Sequence, residues 1–300
     1  MSRLVFANRK TQGDLSVARG GLGVASGKRR FAGGKLGVAG TICAVVVGLA
    51  VLAAVAGPFI APYSPTLPNL QLAWVGPVSG HLLGFDFEGR DVLSRLLAGA
   101  QTAMLGPLVV VVLAMAGGAL FAVVAAWRRG ATDAVISSGM DVLFAFPGIL
   151  LAVLATTVFG AGLTAAAVAL AIAYLPYVAR VLRSGALKER NQTYVQALEV
   201  QGVSVPRICF GHILPNMSGI IVAQATVLFG YAMVDLAAIS FLGLGVQPPA
   251  ANWGVMISEN EPGILQGYPL PALAAGLCVV AVVIAVNVLG ERLLEREGQR

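Results

Sequence analysis

Two histidines, His81 and His212, and three cysteines, Cys43, Cys209 and Cys278, have the widest chemical repertoire in this sequence. Gathered together, such side chains ligate metals or act as nucleophile and base. The spacing here does not gather them. The cysteines are scattered without a CxxC pair, which argues against a zinc site or a disulfide framework and leaves buried, inert thiols. His212, without a second histidine or a carboxylate beside it, reads as a structural hydrogen-bonder. The stretch GVASGKRR has the outline of a phosphate loop, but Leu22 stands where the first glycine is needed and Arg29 where a hydroxyl is needed, and no strand precedes it. No recognisable motif in this chain binds ATP. Two further features need elements to explain them: the carboxylates Asp141 and Asp235, set inside apolar runs, and the polar stretch VQALEVQGVSVPRICFGHILPN, Val195 to Asn216.

Those elements are membrane spans. Of the 300 residues 57% are hydrophobic and 11% charged, with mean hydropathy +0.83, whereas a soluble domain carries about 25% charged residues. Apolar runs near Leu36–Ile60, Met104–Trp127, Ala134–Val158, Leu163–Val181, Ile220–Leu244 and Leu270–Leu289 are each long enough as helices to cross about 30 Å of hydrocarbon. The reading is an all-α integral membrane protein of six transmembrane helices. A net charge of +6 and a pI near 9.5 do not point to nucleic acid, because topology distributes the basic residues. With a cytoplasmic N-terminus, eighteen of the 20 lysines and arginines fall on the inner side, and only Arg90 and Arg95 fall outside. Both termini are therefore expected in the cytoplasm. Residues 1–35 form a basic tail suited to an anionic membrane surface and carry no cleaved signal. After the first span at 36–60 comes an extracytoplasmic segment at 61–103. A five-helix core follows at 104–294, then a short C-terminus at 295–300. The two histidines fall on opposite sides, so no metal or catalytic pair can be built from them.

The polar stretch lies in the cytoplasmic loop 190–216. Thr193-x-x-Gln196 has capping-box spacing, and Tyr194, Ala197 and Leu198 fall on one apolar face. Gly202 suits the left-handed turn that ends a helix. Ser204 can cap a second helix with Pro206 in its first turn, placing Val205, Ile208, Cys209 and His212 on a common face. Two short helices around a glycine turn either lie among the lipid headgroups or present a docking surface to a cytoplasmic partner.

At these residues the sequence resembles the cytoplasmic coupling loop of binding-protein-dependent ABC importer permeases, whose usual form is Glu-Ala-Ala, then a glycine, then a helix ending His-x-Leu-Pro. Ala197, Gly202, Ile208, His212, Leu214 and Pro215 match it. HLLGFDFEGRDVLSRLLAGA, MDVLFAFPGILLAV and ISFLGLGVQPPAANWG are similar, in order, to segments of the dipeptide, oligopeptide and nickel branch. The resemblance implies a type I importer permease in a bacterial inner membrane, paired with a homologous second permease, two ATPase subunits and an extracytoplasmic substrate-binding protein. The cargo would be di- or oligopeptides, or alternatively nickel or another small solute. ATP and Mg²⁺ would be held by the ATPases and no cofactor by this chain, a non-catalytic subunit. Coupling to the ATPase is expected at Gln196, Ala197, Leu198, Gln201, Gly202, Ile208, His212, Leu214 and Pro215. Meeting the binding protein is expected of Arg90, Asp91, Arg95, Gln247 and Trp253. Gln196, Leu198 and Gln201 depart from the usual coupling residues, as Gln101, Phe85 and Phe87 do from the outer segment.

Asp141 falls roughly 10 Å into the third span at 1.5 Å per residue, and Asp235 toward the outer end of the fifth. Neither can face lipid cheaply. Asp141 pairs with the partner permease, lines the inner vestibule, or makes a buried helix–helix hydrogen bond. Asp235 lines an outer cavity and attracts a peptide ammonium, or bonds between helices. Gln224 and Asn287 are expected to bridge helices, and Gly117 and Gly118 to let helices approach. Pro147 and Pro176 should kink their spans. Between Leu242 and Gly254 the glycines and prolines should break the helix at the outer mouth, with Trp253 as an interfacial anchor. Two other function classes fit less well. An autonomous secondary transporter needs a buried relay or an inverted repeat, and a membrane enzyme needs a clustered catalytic constellation.

Overall fold

Backbone groups inside hydrocarbon have no water to bond to, so apolar runs satisfy them by coiling, and most of the described chain is helical. The structure, a computed structural model, describes residues 37–297, with side chains over 38–292. The expected basic tail at 1–35 and the residues beyond 297 lie outside the described residues. The helices are α1 (Gly37–Ile60), α2 (Val92–Arg128), α3 (Gly130–Phe144), α4 (Gly148–Phe159), α5 (Leu163–Arg190), α6 (Thr193–Val200), α7 (Val205–Ile208), α8 (Leu214–Asn216), α9 (Ser218–Phe241), α10 (Trp253–Leu265) and α11 (Leu270–Glu297). Among the described residues there is no strand, only two isolated bridges, Val78 with His81 and Phe85 with Asp91.

Among the described residues five helices, α1, α2, α5, α9 and α11, are long and apolar enough to cross a membrane. The sixth crossing is not one rod. Helices α3 and α4 meet at a 79° bend, where the sequence predicts a continuous span kinked at Pro147. Proline disfavours helical backbone in the residue before it, and here the chain leaves the helix at Ala145 and restarts at Gly148 with Pro147 as the flanking residue.

Helix α2 begins at Val92, well before the expected Met104, because the Asp91 side chain caps it, accepting from the Ser94 N–H at 2.8 Å. Its 37 residues make it longer than the bilayer core is thick. Helix α5 runs to Arg190 instead of ending near Val181, so Arg183 projects from a helix and not a loop. The pair α2 and α5 pack closely through Gly118, where a Cβ would fall 2.5 Å from Val178 Cγ1. That agrees with the close approach expected there. Among the described residues three buried clusters organise the bundle. An outer one joins α1, the start of α2, α10 and α11 around Val92, Met104, Trp253 and Met256. A middle one joins α2, α4, α5 and α9 around Val110, Leu170 and Leu236. The third joins α2, α5 and α9 to the segment 193–217 around Leu182, Val195, Ile208, Ile213 and Met217.

Gln224 and Asn287 do not bridge helices as expected. Gln224 is buried with no partner for Nε2 among the described residues, and Asn287 donates to Val283 O of its own helix at 3.0 Å.

Candidate functional site

The segment 193–217 forms two short helices about a tight turn. Gly202 lies at φ +74, with its N–H donating to Glu199 O and the Val203 N–H to Leu198 O. This pair of bonds satisfies the last carbonyls of α6 in a Schellman turn. The start of α6 differs from the capping box expected there. Thr193 is the first helical residue, and the flanking Gln192 makes no side-chain cap. Ser204 likewise flanks α7 without a side-chain bond.

Val195, Tyr194 and Leu198 turn inward, whereas Ala197 is exposed beside Gln196, Gln201 and Gly202. The second helix also presents a different face from the one its 3.6-residue spacing predicts. A π-helical turn over Cys209–Ile213 inserts one extra residue, so Ile208, Cys209, Ile213 and Met217 are buried while Val205 is exposed and His212 half-buried. His212 makes no hydrogen bond among the described residues, against its reading as a structural hydrogen-bonder. Burial pushes the Cys209 thiol above its ordinary value.

Of the expected coupling residues, Gln196, Ala197, Gln201, Gly202 and Pro215 face outward. Leu198, His212 and Leu214 are half-covered, and Ile208 is buried in the core and cannot touch a partner. The outward surface is completed by Val200, 89% exposed, and Phe210. The segment is anchored from below. Arg190 donates to the Ala126 carbonyl at 2.8 Å and to that of Trp127, and stacks over the Trp127 ring.

On the opposite side of the bundle, the residues expected to meet the binding protein are mostly structural. Arg90, Asp91, Arg95 and Trp253 are buried, and only Gln247 is exposed. Asp86 accepts from Arg90 Nε at 2.8 Å and from Arg95 Nη1, and Glu259 of α10 lies 3.0 Å from Arg90 Nη2 and 2.8 Å from Arg95 Nη2. The Arg95–Glu259 contact and a 2.9 Å approach of Arg90 Nη1 to Glu88 are ion pairs whose angles fall short of hydrogen bonds. Trp253 is no interfacial anchor, because its indole N–H donates to Leu96 O at 3.0 Å inside the protein. His81 does meet a carboxylate, with Nδ1 2.8 Å from Asp91 Oδ1 and the ring stacked on Tyr63. Ser94 donates to the same carboxylate, not to the imidazole, so this trio lacks the hydroxyl-to-imidazole contact of an activated nucleophile.

Asp141 and Asp133 on α3 are paired with arginines of α5. Arg180 Nη2 reaches Asp141 Oδ1 at 2.9 Å, and Arg183 grips Asp133 with two bonds. The Asp141 pair joins α3 to α5 within the same chain, so a helix-to-helix bond of the kind expected there forms, but it is exposed and not buried. Asp235 accepts from the Tyr174 hydroxyl and lines a cavity of about 490 Å³ at the α3–α4 bend with Phe144, Phe146, Tyr177 and Tyr231. Sequence reasoning missed the Glu259 and Tyr174 contacts, whose partners are 169 and 61 residues away. It also missed α10, where the only clue was the polar run SENE inside an outer loop.

The comparisons with known proteins agree with this architecture. The family model described as binding-protein-dependent transport system inner membrane component matches residues 118–297. A putative peptide transport system permease protein of Brucella suis is 36% identical over 249 residues, 83% of each chain. The di/tripeptide transport system permease protein DppC of Pseudomonas aeruginosa is 36% identical over 251 residues, 82% of each chain. The glutathione transport system permease protein GsiD of Pectobacterium atrosepticum is 36% identical over 218 residues, 73% of this chain and 72% of its own. Among solved structures, the inward-facing MetNI methionine ABC transporter superposes with TM-score 0.56 at 19% identity, over 67% of this chain and 95% of that one, a likeness of fold. The chain therefore belongs to the binding-protein-dependent transport inner membrane components, as a multi-pass permease subunit of an ABC importer.

Proposed function

We propose that this chain forms one half of an inner-membrane pathway for di- or oligopeptides, opposite a homologous second permease. The other components are two ATPases, which hold ATP and Mg²⁺, and an extracytoplasmic binding protein. The peptide cargo rests on the relatives, which are described as peptide, di/tripeptide and glutathione permeases. The assignment of coupling rests on one observation. The turn Gln196–Gly202 presents its polar side chains and Val200 outward while Val195 locks it into the bundle core. A surface held that rigidly can pass a push from an ATPase groove to α5 and α9, whose side chains share that core. Asp141 and Asp235 are assigned to the pathway, Gln247 to the contact with the binding protein, and both termini to the cytoplasm.

The test is co-purification. Deleting Gln196–Gly202, or substituting Gln196→Lys with Gln201→Lys, should release the ATPases and abolish peptide uptake by the reconstituted importer. Full retention of the ATPases with normal uptake would refute the docking assignment.

A further inference from the structure

Three aspartates occupy the broken span and the helices facing it, and they are not treated alike. Asp133 and Asp141 each have an arginine of α5. Asp235 has none among the described residues. Its partner is the neutral Tyr174 hydroxyl, which donates to Oδ2, and among the described residues no donor reaches Oδ1. A carboxylate on a membrane-spanning helix is costly to turn toward lipid, so an acid left without its own cation marks a functional position.

Its surroundings suit one class of ligand. The cavity of about 490 Å³ is lined by the rings of Phe144, Phe146, Tyr174, Tyr177 and Tyr231, and Asp235 is its one charged lining residue among those described. Such a volume falls within the usual range for small-molecule sites. Ring faces attract organic cations through their quadrupole, and a carboxylate adds a charge-assisted acceptor. The neighbouring guanidinium cannot fill the role, because Arg180 is held by Asp141 and lies over the Phe144 ring, 4.9 Å from its centroid. The bend between α3 and α4 borders the site, since Phe146, Pro147 and Gly148 line its wall.

We propose that Asp235 and the aromatic residues around it form a transient binding site for the primary ammonium of a substrate, the N-terminus of a passing peptide, within the translocation pathway. Resting on the peptide reading above, this adds which end of the cargo the permease holds and with what group. The peptide carboxylate finds no cation among the cavity's described lining residues, so the ammonium is the end retained.

The complete importer, with its second permease, ATPases and binding protein, tests this in proteoliposomes, using radiolabelled trialanine as the probe. Asp235→Asn should lower uptake at least about tenfold, the scale of one lost charged hydrogen bond, while ATP hydrolysed per peptide rises. Asp235→Glu should retain most of the uptake. Uptake by Asp235→Asn within twofold of wild type overturns the inference. So does equal loss in Asp235→Glu, which indicates packing alone. Failure of Asp235→Asn to assemble with the second permease also overturns it, because a basic residue of that subunit would then be the occupant. A wild-type importer that carries no peptide refutes the cargo reading itself, a result seen before any variant is compared.

Discussion

Glu259 meets two guanidinium groups, Arg90 just before α2 and Arg95 in its first turn, while itself only 12% exposed. Removing one partner of a buried ion pair leaves an uncompensated charge and costs about 3–5 kcal/mol. Glu259→Ala is therefore expected to lower the thermal midpoint of the purified importer markedly. Glu88→Ala removes a carboxylate that is 35% exposed and should shift it little. Differential scanning fluorimetry on both variants separates the two. Cys209 gives a prediction in pH. Its thiol is buried and its pKa raised from 9.0 by loss of solvent, so the folded segment keeps the proton that the unfolded chain releases. Stability of the segment 193–217 should be constant below pH 9.0 and fall as pH rises above it. Maleimide labelling of Cys209 at about pH 7.5, where few thiols are ionised, should be slow in the folded protein and fast after denaturation, as mass spectrometry of the tryptic peptide would report.

Helix α6 turns back through Gly202, where a Cβ would meet nothing within 4 Å, so the demand there is conformational and not steric. At φ +74 a β-branched side chain costs on the order of 1–2 kcal/mol, less for asparagine. Gly202→Val should raise hydrogen exchange across 193–217, and Gly202→Asn should stay close to wild type. The broken span, in turn, is tied to α5 by two ion pairs at Asp133 and Asp141. The Asp133–Arg183 pair is half-exposed, so its coupling should be about 0.5–1 kcal/mol in a double-mutant cycle. Asp133→Arg combined with Arg183→Asp should recover part of the transport lost by either alone. The cost of loosening one helix against its neighbour is small enough for such a contact to open during a cycle.

At the scale of the whole molecule, the proposed topology puts Gln201 and Gln247 on opposite sides of the membrane, and cysteine labelling can read this directly. Gln201→Cys should react only with reagents admitted to the cytoplasm, and Gln247→Cys only with impermeant reagents added outside, both being exposed positions. The opposite pattern at either site would invert the topology. The apolar runs, the family resemblance and the turn at Gly202 were legible in the chain, because hydropathy, helix punctuation and backbone strain are local properties that need no neighbour. What lay beyond reach came from partners distant in sequence. Arg90 and Arg95 read as exposed docking residues until Glu259 and Asp86 enclosed them. The third span read as continuous until the bend at Pro147 divided it. Asp235 became distinct from Asp133 and Asp141 only when the fold assigned arginines to two of the three. Sequence by itself determined a multi-spanning helical permease with a glycine turn in a polar loop, since burial in lipid and local backbone strain dictate that much residue by residue. Tertiary structure alone decided which charges are neutralised inside the protein and which one is left open to a ligand, because that depends on which helices pack side by side.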